Sequence, residues 1–147
     1  MLKKIMSFLA GKKAHHDKSF DEWLDKHNKE IENKIANLQA DNREWEKMFG
    51  ELMFYQNAGM NLEREGNLEA ASEKYEKAII FGRNNGRMKP SNYFYSYERL
   101  AIVYRKLKRY DDEVRIIEAA LEENIAEADR NKFRTRLEKS MRLKEKA

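Results

Sequence analysis

Two stretches of this chain lie over one another when residue numbers are shifted by 42, and this internal repeat limits the fold more than any other feature. Tyr55, Gly59 and Leu62 fall on Tyr97, Ala101 and Tyr104. Gly66-Asn67-Leu68-Glu69 falls on Lys108-Arg109-Tyr110-Asp111, Tyr75 on Ile117, and Ala78-Ile79 on Ala120-Leu121. Within each copy the apolar and small residues follow the three-, four- and seven-residue spacing of one helical face, and Gly66-Asn67 supplies a turn between two such helices. Units of this kind cannot bury their apolar faces alone and must stack on neighbours.

Composition agrees with helix. Six Gly and a single Pro in 147 residues leave few breakers, and a 38% charged fraction beside 41% hydrophobic residues suits amphipathic helices around one core. Without cysteine there is no disulfide framework, thiol nucleophile or zinc-thiolate site, and a cytoplasmic address is the default. Ahead of the repeat, Leu24, Ile31, Leu38, Trp45 and Leu52 recur every seven residues. Ser19 and Glu22 have capping-box spacing at the start, while Asp41 with Glu44 offers a second start and hence a break near Ala40. Asn28 and Asn42 occupy the second heptad stripe, where a strong coiled coil carries apolar residues. Packing of this stripe on the body is the plainer expectation; self-association through it, giving a homo-oligomer, is the sharper one. Gly82 is a C-cap candidate, residues 82–90 form a loop, and Ser91 caps the next helix. A last amphipathic helix runs through Ala128, Phe133, Leu137 and Met141.

The pattern resembles the tetratricopeptide repeat, a helix-turn-helix unit of about 34 residues with aromatic and small residues on its first helix and Ala, aromatic, Ala on its second. The resemblance covers residues 52–124, and the surplus over about 34 residues fits the loop at 82–90. It implies that Ala71 and Ala78 are small because paired helices approach closely, and that Tyr75 fills the space against the next unit. Glu113 departs from the pattern, standing where the first copy has Ala71, so it either points outward or loosens the second unit. The expected architecture is therefore all-α: residues 1–18 a basic mobile segment, 19–50 a long amphipathic helix or helix pair, and 51–147 a domain of repeat-like helix pairs with a C-terminal capping helix.

Charge is distributed in blocks. Residues 1–18 hold five lysines against Asp17, which accounts for the whole net charge of +4. Residues 111–129 hold eight acids and only Arg115, whereas residues 130–147 hold eight bases against Glu138 and Glu145, so neighbouring helices of opposite sign are expected to attract. The start, MLKKIMSFLAGKK, has too short an apolar run and no small-x-small site for an export signal, but its lysines and Leu2, Ile5, Met6, Phe8 and Leu9 could rest weakly on an anionic membrane surface. No stretch approaches the roughly 20 apolar residues of a membrane span.

Chemistry is sparse. His15-His16-Asp17 makes a poor metal chelate and His27 reads as a half-buried surface residue, so no metal and no cofactor is expected. No phosphate loop, nucleophile elbow or acid-base set is visible, which argues against an enzyme. Between Arg83 and Arg109, eight bases against Glu98 alone are interleaved with Tyr93, Phe94, Tyr95, Tyr97 and Tyr104. This mixture suits acidic peptides or, less well, single-stranded nucleic acid. The resemblance implies an inner face from the first helix of each unit: Met53, Gln56, Asn57 and Met60, then Tyr95, Arg99 and Ile102, with Arg105 and Lys106 near its end. Gln56 and Met60 do not supply the Lys and Asn of the family's carboxylate-binding variant, so a partner peptide or helix recognised by mixed apolar and basic contacts is expected rather than a free C-terminus. The function expected is a scaffold or adaptor; self-assembly through the N-terminal helix and nucleic-acid binding are the alternatives.

Overall fold

A computed structural model describes residues 18–147, so expectations for the basic segment, including its membrane contact and the His15-His16 pair, lie outside the described residues. Those described form five helices and no strand: α1 (Lys18–Arg64), α2 (Leu68–Asn84), α3 (Pro90–Lys106), α4 (Tyr110–Glu122) and α5 (Glu127–Lys146). They fall into two compact units, residues 18–45 and Glu46–Ala147.

Helix α1 runs through Ala40 without the break that Asp41 suggested, and it continues through Gly50, where shorter helices are expected from the sequence to begin. Gly50 has open space where a Cβ would lie, so nothing there requires a bend. No residue from 18 to 45 is buried. The heptad stripe divides: Leu52 is fully buried and Leu24 and Ile31 are half-buried, whereas Leu38 is 62% exposed and Trp45 37%. His27 is half-buried as foreseen: its ring lies 4.0 Å from that of Trp23, and Nδ1 is 2.8 Å from the Trp23 carbonyl.

The second unit holds the core. Successive helices pack on one another from α2 through α5, around Leu52, Tyr75, Tyr97, Leu100, Tyr104, Ile117 and Phe133, each nearly or fully enclosed. The repeat seen in the sequence returns as backbone geometry. Gly66 has φ +80°, and Lys108, its counterpart, has φ +58°. In the first turn Gly66 N–H donates to Glu63 O at 3.0 Å and Asn67 N–H to Leu62 O at 2.9 Å. Lys108 to Arg105 O and Arg109 to Tyr104 O repeat those bonds at 3.0 and 2.9 Å. These are the paired bonds that close a helix through a left-handed residue. Glycine takes this conformation freely, but lysine crowds its Cβ against the carbonyl, at a cost of about 1–2 kcal/mol. Lys108→Gly is therefore expected to stabilise the fold by about 1 kcal/mol, read as a higher urea midpoint at unchanged slope; a lower midpoint would show that the lysine side chain compensates the strain.

Three local expectations are corrected. Gly82 is not a cap: α2 continues to Asn84, and a Cβ at Gly82 would lie 2.3 Å from Cδ1 of the Tyr93 ring. Glycine is there to admit the tyrosine. Ser91 does not cap α3, which begins at Pro90; the Asn92 side chain instead accepts the Lys89 N–H at 2.8 Å. Proline at the first helical position lacks only an N–H that would have no intrahelical partner.

The third concerns Glu113, which neither points outward nor loosens the second unit. It is fully buried, accepts from Arg105 Nε at 2.7 Å, and takes the Ser140 hydroxyl at 2.6 Å. The final helix therefore turns Ser140 inward while Met141 stays 41% exposed and Ala128 is exposed, unlike the stripe read from the sequence. The acidic and basic blocks do meet on α4 and α5, through Lys144–Asp111 at 2.8 Å. Arg130 also donates to the α4 terminal carbonyls of Leu121 and Glu123, at 2.7 and 3.0 Å.

Candidate protein-interaction surface

Within Glu46–Ala147 two polar links join the end of α1 to α3. Ser96 Oγ donates to Gln56 Oε1 at 3.0 Å in buried surroundings, and Arg99 Nε donates to Glu63 Oε1 at 3.1 Å. Burial alone would raise the Glu63 carboxyl, but hydrogen bonds from Arg99 and from the Tyr75 hydroxyl overcome it and hold the group below its ordinary range. Glu63 thus anchors a buried tyrosine and an arginine from two other helices.

These links divide the nine residues expected on the inner face. Gln56 is only 7% exposed and bound to Ser96; Arg99 is committed to Glu63; Arg105 is committed to Glu113 and Ser140. All three hold helices together instead of facing a partner freely. Asn57, Tyr95 and Lys106 are exposed, and Met53, Met60 and Ile102 are half-buried, leaving a mixed strip of two helices available.

The basic aromatic stretch from Arg83 to Arg109 is mostly spent internally. Tyr93, Tyr97 and Tyr104 are buried, and Phe94 meets Phe133 edge-on with ring centres 5.0 Å apart, leaving Tyr95 as the exposed aromatic of the five. Among its cations Arg83 pairs with Glu123 at 3.1 Å, and Arg109 with Glu69 at 2.6 Å and Asp112 at 2.7 Å. Few rings remain for stacking bases.

Two cavities open on Glu46–Ala147. One of about 450 Å³ is lined by Tyr55, Lys77, Ile80, Phe81, Asn84 and Asn85, near the exposed Phe54. The other, of about 280 Å³, is lined by Arg105, Lys132, Thr135, Arg136, Lys139 and Arg142. Sequence reading passed over this second cleft. The signal is the run of bases after residue 130, which by composition reads as attraction between helices. Only the spacing of 132, 135, 136, 139 and 142 along one side of a helix could have separated a cleft from a solvated face.

Among the described residues no group of three or more His, Cys, Asp or Glu is placed to hold a metal ion, and no helix is long and apolar enough to cross a membrane. Comparisons with protein-family models, with curated proteins and with solved structures found no match.

Proposed function

We propose that this chain is a non-catalytic protein-interaction module, a scaffold or adaptor built from two tetratricopeptide-like helix pairs between flanking helices. A partner peptide or helix lies along Met53, Asn57, Met60, Tyr95, Ile102 and Lys106. The observation that carries this reading is the strip that remains once the core and the polar links are satisfied: a half-exposed tyrosine, partly covered apolar side chains and a cation, on two adjoining helices. Aromatic anchors among apolar neighbours are where binding energy concentrates in interfaces.

The test uses Tyr95→Ala with Ile102→Ala, because Arg99→Glu would set a second carboxylate against Glu63 and damage the fold. Partner capture from the source cell is expected to fall by tenfold or more, since such anchors typically contribute about 2 kcal/mol or more. The circular-dichroism melt should shift by only a few degrees. Unchanged capture with an unchanged melt would remove the strip as the site.

A further inference from the structure

We infer that the cleft between α3 and α5 binds a carboxylate-rich segment of a partner protein. This rests on the reading of the chain as an interaction module and gives the partner a chemistry. Five cations and Thr135 line the cleft, and no carboxylate does. Two of the five are already neutralised: Arg105 by buried Glu113, and Lys132 by Glu98. Arg136, Lys139 and Arg142 have no acidic partner among the described residues. Burial and then the neighbouring Arg105 charge press the Arg136 guanidinium below its ordinary value, against the opposing charges of Glu113 and Glu98; with five cations on the wall and two paired carboxylates, the cleft is net positive. An anion entering it relieves this repulsion.

Size and lining choose among anions. A cleft of about 280 Å³ is at the lower limit of sites for whole small molecules, about 300 Å³, but accepts side chains. No aromatic residue lines it, so it lacks the stacking platform that single-stranded nucleic acid uses. From Arg136 to Arg142 the three unpaired cations follow one side of α5 over about 9 Å. A segment with three carboxylates spaced over that length meets them in register, and arginine forks suit carboxylates.

The experiment measures fluorescence anisotropy of a fluorescein-labelled hexaglutamate peptide with the full chain. The wild type is expected to bind, more weakly as salt rises, and the triple variant Arg136→Gln, Lys139→Gln, Arg142→Gln to lose tenfold or more. Exposed Lys139→Glu alone should lose several-fold, which keeps the test valid if the triple variant melts early. Equal affinity in wild type and both variants overturns the proposal. Displacement of the peptide by oligo(dT) of equal charge at lower concentration, with oligo(dT) binding lost in the variants, also overturns it in favour of a nucleic-acid site. The Tyr95→Ala, Ile102→Ala variant should keep hexaglutamate affinity, so failure of the strip and failure of the cleft are read separately.

Discussion

Arg105→Ala is expected to lower the stability of Glu46–Ala147 by about 3–5 kcal/mol, because it leaves the fully enclosed Glu113 carboxylate without its cation. Ser140 still donates to that carboxylate, but a single hydroxyl does not replace a charged partner. The double variant Arg105→Ala, Glu113→Ala should recover much of the loss, since the uncompensated charge is gone and alanine is what the first copy carries at the matching Ala71. Urea unfolding of the three proteins measures both effects. A loss under about 1 kcal/mol for Arg105→Ala would mean that water reaches Glu113 as readily as the arginine does.

Alkali is expected to unfold the protein from about pH 10 upward. Tyr75 is raised by burial and by its bond to Glu63, Tyr93 by burial and its bond to Glu123, and Tyr104 by burial and its bond to Glu76. Tyr97 is pushed up to about 12, first by burial and then by the nearby Glu123 charge, against the opposing pull of Arg83. In the unfolded chain these phenols titrate near their ordinary value of about 10. Above that pH the unfolded state gives up protons that the folded state keeps, so folding stability is complete below pH 10 and falls as pH rises toward the folded values. Tyrosinate absorbance from these four should therefore appear together with loss of helix. Absorbance from all four preceding any loss of helix would contradict the enclosure of the phenols.

Helix was legible in the sequence because burial leaves a period, and the shift of 42 residues marked two turns that share one backbone geometry. Gly66 announced its left-handed backbone; Lys108 did not, and only the shift of 42 residues pointed to it. Residue type misled wherever a side chain acts across the fold. Arg99, Arg105 and Gln56 look like surface groups, and their acceptors Glu63 and Glu113 and donor Ser96 come from other helices or distant positions. Gly82 looked like a stop signal because sequence shows its freedom and not the ring of Tyr93 beside it. The cleft was hidden for the same reason: its walls, Arg105 on one helix and Arg136 on another, lie 31 residues apart and meet through Arg105 Nη2, which donates to the Arg136 carbonyl at 3.3 Å and to Ser140 at 3.0 Å.

The exposed stretch of α1 also bears on how the protein's stability can be measured. From residue 18 to 45 no residue is buried, so helix there draws little stability from an enclosed apolar core. Its amides should exchange with deuterium far sooner than those around Leu100 and Ile117, which open only when the core does. Total helicity followed through a melt will then begin to decline before the tyrosine signals move. A single two-state free energy fitted to that curve would understate the cooperativity of the core, whereas one fitted to the tyrosines would describe it.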